Sequence, residues 1–249
     1  MSAVLETKDV TRSFGAVKAA DHLSVQLNEG QIVGIVGPNG SGKTTFVNIV
    51  TGYVKPTQGH VLFRDREVTG LHPRELTRLG ITRSFQVPQL YTRLSILENM
   101  LIALTIRAGQ HWQFWQPLKS QPRIDAALEV LAQFGLKDGA DQTVSTLPEG
   151  GRKLLDVALS VALKPTLLLL DEPTSGVSVD EKFGIMDALV GVVKDHGITT
   201  VFIEHDMDVV ARYAGRVIVF ADGAIMADGR ADEVLAQEHV RRHLLGEGG

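Results

Sequence analysis

The chain has 249 residues, 44% hydrophobic and 22% charged, and a formal charge of -4 at neutral pH. This is the composition of a globular protein with a full core, and its mild acidity speaks against a nucleic-acid partner, which needs a field of lysine and arginine. With no cysteine, disulfides and thiolate metal sites are excluded, and no stretch approaches the roughly 18 apolar residues of a membrane span. Residues 1–6 lack a basic region ahead of an apolar one, so no signal peptide is expected. The chain is expected to be soluble by itself, which leaves docking on a membrane partner open.

The first sixty residues read as short strands at 5–10, 23–27, 31–36 and 59–63, with Asn28-Glu29-Gly30 as a turn between two of them. Directly after the apolar run 32–36 come Gly37, Pro38, Asn39, Gly40, Ser41, Gly42, Lys43 and Thr44, which match G-x-x-x-x-G-K-[ST] at every fixed position. Thr45 and the apolar residues up to 50 continue as a helix. A strand, a glycine turn and a helix N-terminus aim backbone N–H groups at an anion, so a nucleoside triphosphate is the expected ligand, with Thr45 among the residues that bind it. In that loop geometry Lys43 serves the β- and γ-phosphates and the Thr44 hydroxyl serves Mg²⁺.

Residues 81–85 form a further short strand, and Gln86 follows it, either as a polar cap or as a ligand of Mg²⁺ or water. Helical spacing at 126–134 and 154–163 flanks a polar, glycine-containing stretch from 135 to 151. Segment 95–163 therefore reads as a mostly helical insertion between two core strands. Within it, residues 110–117 hold both tryptophans, Trp112 and Trp115, which either pack on the protein's own helices or face a partner.

The apolar run 161–171 is expected as a strand, and its four consecutive leucines suit one buried on both faces. Asp171 and Glu172 at its end are poorly explained by packing. Asp171 is placed to hold Mg²⁺, and Glu172 to orient or deprotonate an attacking water. His205 ends another apolar strand at 199–203, in reach of a γ-phosphate or that water, and a further strand is expected at 216–220. Strands alternating with helices predict an α/β fold. The expected architecture is one domain over 1–249, a phosphate-loop NTPase core with a mostly parallel sheet, an N-terminal antiparallel β subdomain and the inserted helical subdomain.

Taken in order, the phosphate loop 37–44, Gln86, the run 167–172 and His205 resemble the ATP-binding subunits of ABC transporters over nearly the whole chain. The resemblance identifies these pieces as Walker A, Q-loop, Walker B with a catalytic glutamate, and H-loop. It also makes Phe14, 29 residues before Lys43, the aromatic that stacks on adenine. The sequences around Arg83-Ser84-Phe85-Gln86, Ile203-Glu204-His205-Asp206-Met207 and Ala227-Asp228-Gly229-Arg230 are most similar to the subunits serving branched-chain amino-acid uptake. Such a subunit implies ATP and Mg²⁺, a nucleotide-sandwich dimer and transmembrane permease subunits. It further implies an extracytoplasmic solute-binding protein and a peripheral place on the cytoplasmic face of the inner membrane.

Two departures from the family pattern matter. The signature loop, normally Leu-Ser-Gly-Gly-Gln, is Leu147-Pro148-Glu149-Gly150-Gly151. Pro148 offers neither a hydroxyl nor an N–H to the partner's γ-phosphate, and Glu149 adds an anion unless it points away or finds a cation. Ser178 stands where most of the family has a D-loop aspartate. The expectation is an asymmetric pair with a second, non-identical ATP-binding subunit, in which Lys43, Glu172 and His205 equip one site fully. The alternatives are a regulatory ATP-binding subunit with weak turnover, or a soluble non-transport ABC ATPase.

Overall fold

The computed structural model describes residues 3–84, 89–107 and 119–245. Strands β1 (Ala3–Phe14) and β2 (Val17–Asn28) form a long hairpin, β3 (Ile32–Val36) enters the core, and α1 (Lys43–Val50) follows it. Next come β4 (Gln58–Phe63), β5 (Arg66–Glu67), α2 (Pro73–Leu79) and β6 (Ile81–Arg83). Helices α3 (Ile96–Arg107), α4 (Gln121–Gln133) and α5 (Glu149–Ala162) precede β7 (Leu167–Asp171), with a 3-10 turn at Val144–Thr146. The chain continues through α6 (Val179–Asp195), β8 (Thr199–Ile203), α7 (Met207–Tyr213), β9 (Arg216–Ala221) and β10 (Ala224–Arg230). It closes with α8 (Ala231–Ala236) and α9 (Glu238–Leu245).

The hairpin belongs to a four-stranded antiparallel sheet of order β2-β1-β4-β5. The central sheet has six strands in the order β10-β9-β3-β8-β7-β6, parallel throughout except for β10. Side chains alternate across it. Val33, Ile35, Leu167, Leu169, Val201 and Ile203 join a core with α1 and the antiparallel sheet. Val36, Leu168, Leu170 and Phe202 join a second core with the helices on the other face. That two-sided burial is why the parallel strands carry uninterrupted apolar runs. Helices α3, α4 and α5 all fall between β6 and β7, which are neighbours in the sheet.

Several expected boundaries move. The apolar run 161–171 is not one strand: α5 takes Val161 and Ala162, and β7 starts only at Leu167. Lys164 has a left-handed φ of 51° and Pro165 follows it, and a residue before proline is disfavoured in the helical region, so the helix stops there. The hairpin strands are longer than their alternation indicates, because Asp9 (φ 54°) and His22 (φ 53°) sit at register shifts that break the period-two pattern. The tryptophan segment and Gln86 lie outside the described residues.

Helix α1 is seated by Phe46, which is 1% exposed and meets Phe220 of β9 with ring centroids 5.7 Å apart. Phe46→Ala should cost about 3–5 kcal/mol in urea denaturation. Nucleotide affinity should fall with it, since α1 begins inside the phosphate loop.

Candidate active site

Parallel strands end on one edge of the sheet, and the register aligns those ends. Ile35 of β3 pairs with Ile203 of β8, and Ile203 pairs with Asp171 of β7. The residues that follow, Gly37 on one side and Glu172, Glu204 and His205 on the other, are thereby brought to a common edge. A cleft of about 320 Å³ opens there, lined by the phosphate loop from Asn39 to Thr45 together with Ala19, Glu172 and His205.

Two glycines of the loop are required by shape. Gly37 has φ 149°, and a Cβ there would meet Phe220 O at 2.4 Å; Gly42 has φ 104°, and a Cβ there would meet Ala19 O at 2.4 Å. The Lys43 side chain is buried and donates from Nζ to Gly37 O at 2.7 Å and Pro38 O at 2.8 Å. Burial pushes its pKa down, against the opposing pull of Glu172 and Asp171. Ser41 Oγ is buried without a hydrogen-bond partner among the described residues, and Thr44 is exposed at the start of α1. An orphaned hydroxyl, a folded-back ammonium and a helix N-terminus fit a phosphate chain.

Asp171 is 5% exposed and pairs through Oδ2 with Arg83 Nη2 of β6 at 2.5 Å. Arg83 also donates to Asn48 of α1 and lies 5.9 Å from the Tyr53 ring centroid. Glu172 is partly exposed and meets His205 Nε2 through Oε1 at 2.8 Å. His205 is held in place from its C-terminal side, where Asp206 caps α7 by accepting from Asp208 N at 2.9 Å and also pairs with Lys182 of α6. That pairing with Lys182 holds the Asp206 carboxyl below its usual range.

The carboxylates and His205 therefore converge with the loop, while Phe14 stands apart. It is 47% exposed at the hairpin tip, with the Arg12 guanidinium 4.8 Å from its ring centroid. Leu147, Pro148, Glu149, Gly150 and Gly151 do not line this cleft either. Pro148 is the N-cap residue of α5 and makes no side-chain cap. Glu149 turns into its own chain, against Gly176, where a Cβ would meet its Oε1 at 2.6 Å. Ser178 serves its own helix, capping α6 reciprocally with Glu181: it accepts from Glu181 N and donates to Glu181 Oε2 at 2.8 Å.

Three further residues at the site do not stand out in the sequence. Arg83 carries a signal, since it sits on the predicted strand just before Gln86. Glu204 carries one too: it ends an apolar strand just as Asp171 does. Lys153 carries none, because a lysine in the first turns of an amphipathic helix reads as solvated. Glu204 is 4% exposed and accepts from Thr174 N at 2.9 Å and Thr174 Oγ1 at 2.7 Å, which pins the loop after Glu172. Burial raises its pKa despite these bonds. The folded protein thus holds the proton more tightly than the unfolded chain, so stability falls as pH rises from the ordinary glutamate range through the higher folded value. Glu204→Gln removes this titration, so its Tm relative to the wild type should be higher at pH 7 than at pH 4 in thermal unfolding.

Residues 20–175 match the ABC transporter family. Over 98% of both chains, the protein is 33% identical to the probable branched-chain amino acid transport ATP-binding protein LivG of Methanocaldococcus jannaschii. It is 31% identical, with the same coverage, to the high-affinity branched-chain amino acid transport ATP-binding protein LivG of Escherichia coli strain K12. Its fold is similar to an ATP-binding cassette of an ABC transporter crystallised in its ADP conformation, with a TM-score of 0.88 and 31% identity over 99% of this chain and 100% of that one. It is also similar to a dimeric ATP-binding cassette in a post-hydrolysis state bound to ADP and Pi, with a TM-score of 0.77 and 28% identity over 91% of this chain and 98% of that one. With the phosphate loop, the paired carboxylates and the histidine converging on one sheet edge, these matches establish that the chain belongs to the ABC transporter ATP-binding family, whose members are ATPases.

Proposed function

We propose that this chain is an ATP-hydrolysing subunit of an importer, coupling hydrolysis in a sandwich dimer to uptake of branched-chain amino acids through transmembrane permease subunits. It sits peripherally on the cytoplasmic face of the membrane; among the described residues no helix is long and apolar enough to cross it. The names of its full-length relatives support the solute class. The observation that carries the hydrolytic reading is the 2.8 Å pair of Glu172 and His205 on the wall of the cleft that the phosphate loop lines.

In this reading the Lys43 ammonium leaves Gly37 O and Pro38 O for the β- and γ-phosphates, trading backbone partners for charged ones. Glu172 orients the attacking water and takes its proton. The water oxygen bonds to the γ-phosphorus as the bond to the bridging oxygen breaks, releasing ADP and phosphate. His205 holds the Glu172 carboxylate in line. Thr44, Asp171 and Gln86 are the residues that would hold Mg²⁺, which when bound supplies positive charge to the phosphate oxygens. Arg83 fixes the direction of the Asp171 carboxylate through Oδ2. Phe14 offers its exposed ring to adenine.

The half-site offered to the partner's nucleotide is weaker. Pro148 has no N–H to give, and the Glu149 carboxylate lies beside Gly176 of its own chain, so neither residue replaces the lost donors. This favours a second, non-identical ATP-binding subunit with an intact signature, in a system completed by an extracytoplasmic solute-binding protein.

Lys43→Ala should weaken binding of a fluorescent ATP analogue roughly 10- to 100-fold, the scale of one charge-assisted contact. In a reconstituted heterodimer, Glu172→Gln in this chain alone should lower turnover about 100-fold or more. Turnover near the wild-type rate would overturn the division of labour and favour a regulatory role for this subunit.

A further inference from the structure

Glu172 has a backbone φ of 50°, a left-handed conformation that is strained for a non-glycine residue. Such a conformation persists only where the surroundings enforce it. The Glu172 N–H donates to Ile203 O at 3.0 Å, so β8 holds one side of the residue. On the other side its carbonyl accepts from Ser175 N at 3.1 Å and from Lys153 Nζ at 3.2 Å. Lys153 also donates to Ser175 Oγ at 3.0 Å, so one ammonium spans the turn that begins at the proposed base.

The location of this lysine is informative. It is 3% exposed, in the first turns of α5, with Asp156, Glu149, Glu172 and Glu204 as the surrounding carboxylates. Burial pushes its pKa down and the four acids pull it back, which keeps a charge in a place where an isolated ammonium would be costly. Lys153 follows Glu149 by four residues, so both project from one face of α5, in the favourable acid-before-base order. That face meets the Glu172 loop twice, through Glu149 at Gly176 and through Lys153 at Glu172 and Ser175.

We propose that Lys153 is a positioning residue for Glu172, joining the helix that presents this chain's signature residues to the loop that carries its own catalytic carboxylate. A shift of α5 against the partner's nucleotide is then passed to Glu172 of the same chain, and the two half-sites of one subunit move as a unit. The inference rests on the reading of Glu172 as the group that activates water.

Lys153→Met keeps length and apolar volume and removes the three donors. In the isolated, nucleotide-free chain, amide exchange in residues 173–178 should rise at least 10-fold, while β3 stays protected. Binding of a fluorescent ATP analogue should remain within twofold of the wild type. In the heterodimer kcat should fall at least 10-fold with KM little changed, and Lys153→Arg should restore part of the loss. Unchanged exchange and kcat would overturn the proposal. So would a uniform rise of exchange with loss of nucleotide binding, which marks a purely structural lysine. A wild-type heterodimer without turnover would instead refute the hydrolytic reading, leaving the exchange result to decide whether Lys153 fixes the loop.

Discussion

In a parallel sheet the strands deliver their ends to one edge, and the distances between those ends are set by register rather than by loop flexibility. Here Ile35, Ile203 and Asp171 lie in line across three neighbouring strands. The phosphate loop, Glu172, Glu204 and His205 all follow directly on the strands that end at that line. Burial of both faces keeps the register: slipping one strand would turn half of its leucines or valines to the wrong core, a cost far above that of any single hydrogen bond at the site. The polar groups can therefore be strained, unpaired or exposed, because they are not what keeps the sheet in order.

The edge has its own electrostatic order. Three cations are set among carboxylates, each from a different element: Lys43 from α1, Arg83 from β6 and Lys153 from α5. Each serves a different carboxylate or backbone group, and each is largely buried. Removing water makes such pairs directional, and removing one member leaves its partner charged in a poor solvent. The protein thus keeps Asp171 and Glu172, adjacent in sequence, in unlike settings: one is locked by a guanidinium, the other is partly exposed and faces an imidazole.

Much of this is legible in the amino-acid order. The phosphate loop is a local motif with glycines demanded by its own backbone, and the carboxylates and histidine announce themselves as polar residues ending apolar runs. The parallel sheet follows from those same runs. What stays hidden depends on contacts distant in sequence. Lys153 looks like any helical surface lysine until α5 packs on the Glu172 loop. Glu149 looks like an obstacle to phosphate until its carboxylate is seen against Gly176. Ser178 looks like a lost D-loop acid and is in fact a helix cap. The end of α5 is misread because Val161 and Ala162 are as apolar as the strand that follows, and hydrophobicity alone cannot separate a buried helix end from a buried strand.

The hairpin of β1 and β2 meets the phosphate loop at Gly42, where the Ala19 carbonyl stands in the space a side chain at position 42 would need. Mutational tolerance at these two sites is consequently linked. Position 42 is closed to larger residues by its backbone angle and by a neighbour from another sheet. A change in the hairpin that pushes Ala19 toward Gly42 would press on the residue that caps the start of α1. The antiparallel sheet, which contributes no acid, base or phosphate ligand, is in this sense part of the nucleotide-binding surface, and insertions along its strands have to keep Ala19 in place.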